Sequence, residues 1–455
     1  MFTSELSMAG LERARGSAFK TRLAQLIAQK TDAQTENAPQ WAASYFDLIS
    51  QWLAPLSFTL EQHGVPGAPF LIARRIEDPV LPTVLTYSHG DVVPGMEGDW
   101  AEGRDPWTLT EAGEHWFGRG IADNKGQFLV NLTAVETVLA ERHALGFNLI
   151  WLIEMGEEIG SPGLAEICML QAKALKADVL LASDGPRVAA ETPTLFLGAR
   201  GGMTFRLDLE HRESGRHSGN FGGALRNPAI ELAHALTSIV DRNGGLQIDA
   251  WTPGHIPDAT RAALKTITPA GGAVDEDWGV AGLTPAERIH AWSSAEVLAL
   301  HAGHPPAPVN AIPPKASAWV QLRYAPGTRS EGLLEALRTH LDEAGFSDVT
   351  ITPEGPSFRA SATPVDHQAV KRLSGVIEAE SGQPPAILPS LGGSLPNDIF
   401  REVLGLPTIW VPHSYPECSQ HAPNEHLPKR LLFEATGLMA AILGSFAGTK
   451  PEDWH

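Results

Sequence analysis

Residues 147–163 read FNLIWLIEMGEEIGSPG, and this stretch decides the fold class. Residues 147–154 form an apolar run of strand length, of the kind found in a sheet buried on both faces. Gly156, Gly160 and Gly163 then surround the adjacent acids Glu157 and Glu158. The run therefore ends in a tight bend that carries two carboxylates at a strand end. Working outward, comparable runs are PFLIARR at 69–75, TVLTYSH at 83–89 and DVLLASD at 178–184. Helical stretches at 125–142 and 163–176 lie between them. Apolar strands alternating with helices predict an α/β fold, a mixed sheet flanked by helices. In such sheets chemistry gathers beyond the carboxyl ends of the strands.

Upstream, helices are expected over 11–28 and 41–52. After Arg200 the pattern changes. Met203, Phe205, Leu207 and Leu209 alternate with Thr204, Arg206 and Asp208, which predicts a half-exposed strand. A helix follows, with Asn227 as N-cap, Pro228 in the first turn and Ile230, Ala233, Leu236 and Val240 on one face. A Gly-, Pro- and Trp-rich stretch over 244–315 has weak periodicity, and Trp251, Trp278 and Trp292 mark it as ordered loops. A second strand–helix pair covers 317–325 and 332–345. The α/β pattern resumes with helix 365–380, strand 406–412 and helix 429–446. The expectation is a catalytic domain in two parts, 1–198 and 361–455, split by an inserted α+β domain at 199–360.

The chain of 455 residues is long enough for two to three domains at roughly 150 residues each. It carries 34 Lys and Arg against 53 Asp and Glu, a formal charge of −19. That balance argues against nucleic acid and against an anionic membrane surface as partners. The N-terminus has no apolar signal region, and no run approaches the roughly 18 apolar residues of a membrane span. A cytoplasmic location is expected. With Cys168 and Cys418 the only cysteines, neither a disulfide framework nor a four-cysteine zinc site within one chain is available.

Acids and histidines recur where strands end. His89 and Asp91 close one strand in YSHGDVVPG, where Asp91 can accept the second ring N–H of His89. Asp123 stands just before a helix in GRGIADNKGQ, a place where an N-cap is the commoner use. Glu157 and Glu158 follow the central strand, and Asp184 ends another. Singly each is an ordinary turn residue. Together they can place Asp91, Asp123, Glu157, Glu158 and Asp184 at one sheet edge, where five carboxylates repel one another unless cations neutralise them. CSQHAPNEHL adds His421 as a second imidazole. Oxygen and imidazole donors suit Zn²⁺, Mn²⁺ or Co²⁺.

HGDVVPG, GRGIADNKGQ, GEEIGS, SDGP, RHSGNFGG, NAIPPKASAWVQLR, LGGSLPND and SQHAPNEH occur in this order between about 80 and 445. In order and spacing they resemble the dinuclear zinc hydrolase family that includes carnosinase, cytosolic nonspecific dipeptidase, aminoacylase and succinyl-diaminopimelate desuccinylase. The carnosinase-like dipeptidase branch is the nearest in pattern. The resemblance implies two Zn²⁺ per chain, with Mn²⁺ or Co²⁺ as possible substitutes. It implies His89 and Asp184 on one ion, Glu158 and His421 on the other, and Asp123 bridging both. Asp91 would orient His89, and Glu157 would be the general base acting on a metal-bridging water. The Asp123–Asn124 bond matches the place of a cis peptide in the family. An Asp at position 184 tilts the choice toward dipeptidases.

By the same resemblance the insert is a lid and dimerisation domain. His217 would reach the partner subunit's active site in a homodimer and polarise the scissile carbonyl. Asn310 and Arg323 would bind substrate oxygens, and Gly393 and Ser394 would contact the substrate terminus. The implied activity is hydrolysis of dipeptides or short peptides with a free amino terminus. The alternatives are an N-acyl-amino-acid amidohydrolase of the same family and a binding protein with a degenerate site. Cys418, three residues before His421, is expected to be buried and unreactive, and His413 to be structural.

Overall fold

The computed structural model describes residues 4–65, 68–269 and 274–455. Its main sheet is mixed and has eight strands, in the order Thr59–Val65, Ala68–Arg75, Asn148–Glu154, Thr83–His89, Val179–Ala182, Thr408–Trp410, Thr194–Phe196 and Ala386–Leu388. The strands Asn148–Glu154, Thr83–His89, Val179–Ala182 and Thr408–Trp410 run parallel. Ala68–Arg75 and Thr194–Phe196 reverse direction on either side of this block. Every residue of Asn148–Glu154 is buried, as its unbroken apolar run requires.

Helix Lys125–Arg142 is mostly buried and packs against helices Glu5–Arg15 and Lys429–Gly444. The latter two touch backbone to backbone: a Cβ on Gly437 would lie 2.6 Å from the Ser7 carbonyl oxygen, so only glycine fits. Because the central strands are parallel, their carboxyl ends share one edge. His89 pairs with Glu154 in register there, which brings the residues after each strand together.

A second sheet is antiparallel, in the order Ser294–Ala302, Lys315–Tyr324, Gly201–Glu210 and Thr350–Phe358. Phe205, Leu207, Leu209, Val320, Leu322 and Tyr324 are buried in a separate core with Leu232, Ala235, Ile239, Leu337 and Leu341 of two helices. Arg206, Trp319, Gln321 and Arg323 line its half-exposed face. Among the described residues no helix is long and apolar enough to cross a membrane.

Several local expectations need correction. The helix expected over 11–28 is two, Glu5–Arg15 and Ser17–Ile27, because Gly16 is extended at φ −67°, ψ 153°. The helix expected over 163–176 stops at Leu170. Helix Pro228–Ile239 buries Leu232, Ala235 and Ile239, whereas Ile230 is 59 % exposed. With apolar residues all around so short a helix, the periodicity does not settle which stripe faces the core. The second sheet also gains two strands not expected, Ser294–Ala302 and Thr350–Phe358. Ser294–Ala302 lies inside the 244–315 stretch, of which 270–273 fall outside the described residues.

Candidate metal centre

The carboxyl edge of the main sheet gathers all five expected ligands. His89 is fully buried at the end of its strand. Its Nδ1 faces Asp91, 3.1 Å from the backbone oxygen and 3.4 Å from Oδ1. A proton on Nδ1 is thereby engaged, and Nε2 points the other way, 2.9 Å from Asp123 Oδ1 and 3.6 Å from Asp184 Oδ2. The second oxygen of Asp123 lies 3.0 Å from His421 Nε2, which is also 3.1 Å from Glu158 Oε2. Asp123 thus presents one oxygen to each imidazole and stands between two half-sites. Ligating atoms of His89, Asp123 and Glu158 all fall within 4.8 Å of one another. The Asp123–Asn124 peptide is cis.

Asp91 does more than face His89. Its carboxylate accepts the backbone N–H groups of Glu157 at 3.2 Å and Glu158 at 3.0 Å, and so fixes the turn that carries both acids. The sequence offered no sign of this second task. Gly90 is held tightly as well, since a Cβ there would sit 2.4 Å from a ring carbon of Tyr45.

The electrostatics favour bound positive charge. Burial pushes Glu157 well above the usual carboxylate range, and Asp184, Glu158 and Asp123 add to it against the pull of His89. Burial also raises Glu158, to about 7, with Asp123 repelling it. Asp184 is raised for the same two reasons. Asp123 is held low despite its burial, through its bonds to His421 and His89. His421 is pushed up to about 11 by Asp123 and Glu158. His89 also rises, because the hydrogen bonds to Asp123, Asp184 and Asp91 outweigh its burial. Glu158 Oε1 is buried with no hydrogen-bond partner among the described residues. Buried carboxylates held up by their neighbours, two imidazoles and an unpartnered oxygen fit divalent ions with mixed O and N donors.

The other expected site residues lie elsewhere. Arg323 Nη1 donates to Ser394 Oγ at 2.6 Å, and Ser394 donates to the Arg200 carbonyl at 3.2 Å, with Gly393 one residue away. Beside them is a cavity of about 440 Å³ lined by Arg200, Trp278, Arg288, Trp292, Gln321 and Arg323. The 244–315 stretch therefore builds a pocket wall. On the other side of Arg323, Pro356 and Phe358 of the second sheet rest on Gly160 of the Glu157 turn. His217 and Asn310 form a third group, exposed within the 199–360 stretch. His217 pairs with Ala311 across a short ladder, its Nδ1 accepts the Gly219 N–H, and the Asn310 carbonyl accepts the Ser218 N–H at 2.9 Å. Among the described residues neither bonds to the five ligands.

Cys418 is buried, and burial lifts its thiol to about 11, so it is a protonated, unreactive group at neutral pH. His413 is buried with Nε2 3.0 Å from Ser183 Oγ, and burial pushes its pKa well down, so it stays neutral. Arg119 and Glu425 were not singled out from the sequence, although both stand inside motifs that were. Gln420, which donates to Asp123 Oδ2, was missed in the same way.

Known proteins resemble this chain in sequence and in fold. The family model for peptidase family M20/M25/M40 matches residues 85–445. A Beta-Ala-His dipeptidase of Mus musculus is 37 % identical over 188 residues, which is 41 % of this chain and 38 % of that protein. The match thus spans about two-fifths of that relative's length. The Cys-Gly metallodipeptidase DUG1 of Saccharomyces cerevisiae is 25 % identical over 85 % of this chain and 83 % of its own length. The crystal structure of human carnosine dipeptidase 1 superposes with a TM-score of 0.77 at 21 % identity, covering 99 % of this chain and all of that one, and so shares the fold.

Proposed function

Because the chain belongs to peptidase family M20/M25/M40, we propose that it is a two-metal dipeptidase that cleaves dipeptides or short peptides with a free amino terminus. The observation that carries this reading is the placement of Asp123, one oxygen toward His89 and the other toward His421. His89, Asp184 and Asp123 would hold one ion, and Glu158, His421 and Asp123 the other. Two Zn²⁺, or Mn²⁺ or Co²⁺ in their place, would supply Lewis-acid polarisation of the scissile carbonyl and lower the pKa of the attacking water.

The remaining work falls to the chain. Asp91 keeps the His89 proton on Nδ1 and holds the Glu157 turn. Glu157, a carboxylate once bound positive charge offsets its burial, takes the proton of the attacking water and delivers it to the leaving amine nitrogen. Arg323 grips the free carboxylate of the substrate, supported by Ser394 and Gly393, and the cavity beside it takes the side chain of the C-terminal residue. Residues 199–360 act as the lid. The insert also joins two protomers into a homodimer. Edge strand Ser294–Ala302 supports this, since it exposes Val297, Leu298 and Leu300. His217 and Asn310, exposed on one protomer, would complete the site of the other. Two free cysteines are in keeping with a reducing cytoplasm.

The test is metal content together with a panel of dipeptides, free and N-acylated. Two ions per chain and turnover of the free dipeptides support the reading. Turnover of the N-acylated compounds alone would replace it with an amidohydrolase. Bound metal without turnover of either set would mean a binding protein.

A further inference from the structure

Glu425 stands four residues after His421 and looks, in sequence, like one more carboxylate for the metal centre. Its geometry excludes that use. Oε1 accepts the backbone N–H groups of Ala122 at 2.8 Å and Asp123 at 3.3 Å. Oε2 accepts the N–H of Gly120 at 3.0 Å and Arg119 Nη1 at 2.8 Å. Both oxygens are committed, and both side chains of the pair are 1 % exposed. Arg119 continues outward. Its Nη1 also donates to the Ala422 carbonyl at 3.1 Å, and its Nη2 to the Pro94 carbonyl at 3.0 Å.

The pair therefore ties together three segments that each carry an expected ligand: the loop after His89, the residues leading to Asp123, and the loop holding His421. The last has particular need of outside support. Ser419, His421 and Asn424 all sit at positive φ, between 58° and 62°, a region costly for residues other than glycine and kept only where surroundings impose it. A buried ion pair contributes little net stability compared with apolar residues of the same size. The five bonds that the pair makes to backbone groups make sense as a device for holding geometry.

We propose that Arg119 and Glu425 are positioning residues for the metal centre, fixing the separation of Asp123 and His421 so that the Glu158–His421 half-site binds its ion tightly. This rests on the two-ion reading above. In Glu425→Gln an amide NH₂ must face either backbone N–H groups or the guanidinium, and Arg119 loses its counter-charge. Arg119→Lys is the milder variant: it keeps the charge but cannot span Glu425, Ala422 and Pro94 at once.

The experiment is calorimetric titration of Zn²⁺ into chelator-stripped protein, with melting curves on the same samples. Wild type should take up two ions. In each folded variant one of the two ions should bind roughly 10–100-fold more weakly, the usual effect of removing groups that orient ligands. Should Glu425→Gln fail to fold, Arg119→Lys decides alone. A variant that melts earlier yet binds both ions within twofold of wild type would overturn the proposal and leave the pair merely structural. Wild type that binds no ions would instead remove the metal reading, and this one with it.

Discussion

Arg323 Nη1 donates to Ser394 Oγ at 2.6 Å, a bond that joins the second sheet to the loop following strand Ala386–Leu388 of the main sheet. The guanidinium also donates through Nε to Gln321 Oε1 at 3.1 Å. Among the described residues no carboxylate pairs with it, and burial lowers its pKa, so the charge is held without a counter-ion. A half-buried guanidinium supported only by neutral partners is suited to a carboxylate brought by a ligand.

Arg323→Ala should therefore remove discrimination between a dipeptide and its C-terminal amide. A charge-assisted hydrogen bond contributes about 1.5–3 kcal/mol, so kcat/KM for the free acid should fall roughly 10–150-fold. The amide should be little affected. If closure of the second sheet over the cleft depends on this contact, part of the loss appears in kcat. Equal preference for the free acid in both enzymes would take Arg323 out of the binding site.

Glu157→Gln should keep both ions and the fold and lose most turnover, by roughly 10²–10⁴-fold. The substitution preserves the backbone N–H that Asp91 accepts, so the turn stays in place. Glu158→Gln should instead weaken one ion, because Glu158 Oε2 sits beside His421 and Oε1 has no other partner among the described residues. Metal content and kcat measured on the same preparations separate the two. Near wild-type turnover of Glu157→Gln with both ions bound would assign the base elsewhere.

The central strands were legible because they are buried on both faces and so read as unbroken apolar runs. The converging candidate ligands were legible because parallel strands end at one edge, which puts His89, Glu158 and Asp184 together before any geometry is known. Strand Thr59–Val65 was not, since an edge strand reading TLEQHGV carries little apolar signal. Strand Ser294–Ala302 stayed hidden for a related reason: its residues from Glu296 to His301 are exposed, so burial imposes no alternation on them. Arg119 and Glu425 escaped because their partners are backbone groups, which leave no pattern in side-chain types. The cavity beside Arg323 depends on which residues of 244–315 turn inward, and Trp251 and Trp292 take different tasks there: the first caps a core, the second lines the pocket.

Removing the metal should leave a protein that releases protons when metal returns. His421, raised to about 11, and His89, also raised, hold protons at pH 7 in the ion-free state, and Glu158 near 7 is partly protonated. Each must be deprotonated to act as a ligand. The sign follows: ion affinity rises with pH, most steeply below about 7, where Glu158 adds its proton to those displaced. Prolonged chelation should abolish activity, and Zn²⁺, Mn²⁺ or Co²⁺ should restore it. Calorimetry at pH 7 in two buffers of different ionisation enthalpy should show more than one proton released per chain. Affinity independent of pH would contradict these assignments, and full activity after verified metal removal would end the metallopeptidase reading.

His217 should act across a dimer. It is exposed, among the described residues its ring bonds only to the Gly219 N–H, and it lies with Asn310 in the 199–360 stretch, while the candidate ligands sit at the carboxyl edge of the main sheet. Among the described residues nothing in its own chain links it to the candidate ligands. Edge strand Ser294–Ala302 leaves one side of its ladder unpaired and exposes Val297, Leu298 and Leu300, which is the surface a second copy of the insert could cover. If His217 of the partner subunit polarises the scissile carbonyl, His217→Ala should lower kcat without loss of metal, because no ligand touches it. Glu157→Gln should be inactive for a different reason. A mixed dimer of the two then contains one site with both Glu157 and a partner His217 intact. Co-expressed with different tags and purified as the heterodimer, the pair should recover up to about half of wild-type kcat per dimer, since one of the two sites is whole. Recovery requires action in trans, because action within one chain would leave each site missing one group. A verified heterodimer as inactive as its parents would refute it, and a monomer in solution at working concentration would remove the dimer altogether.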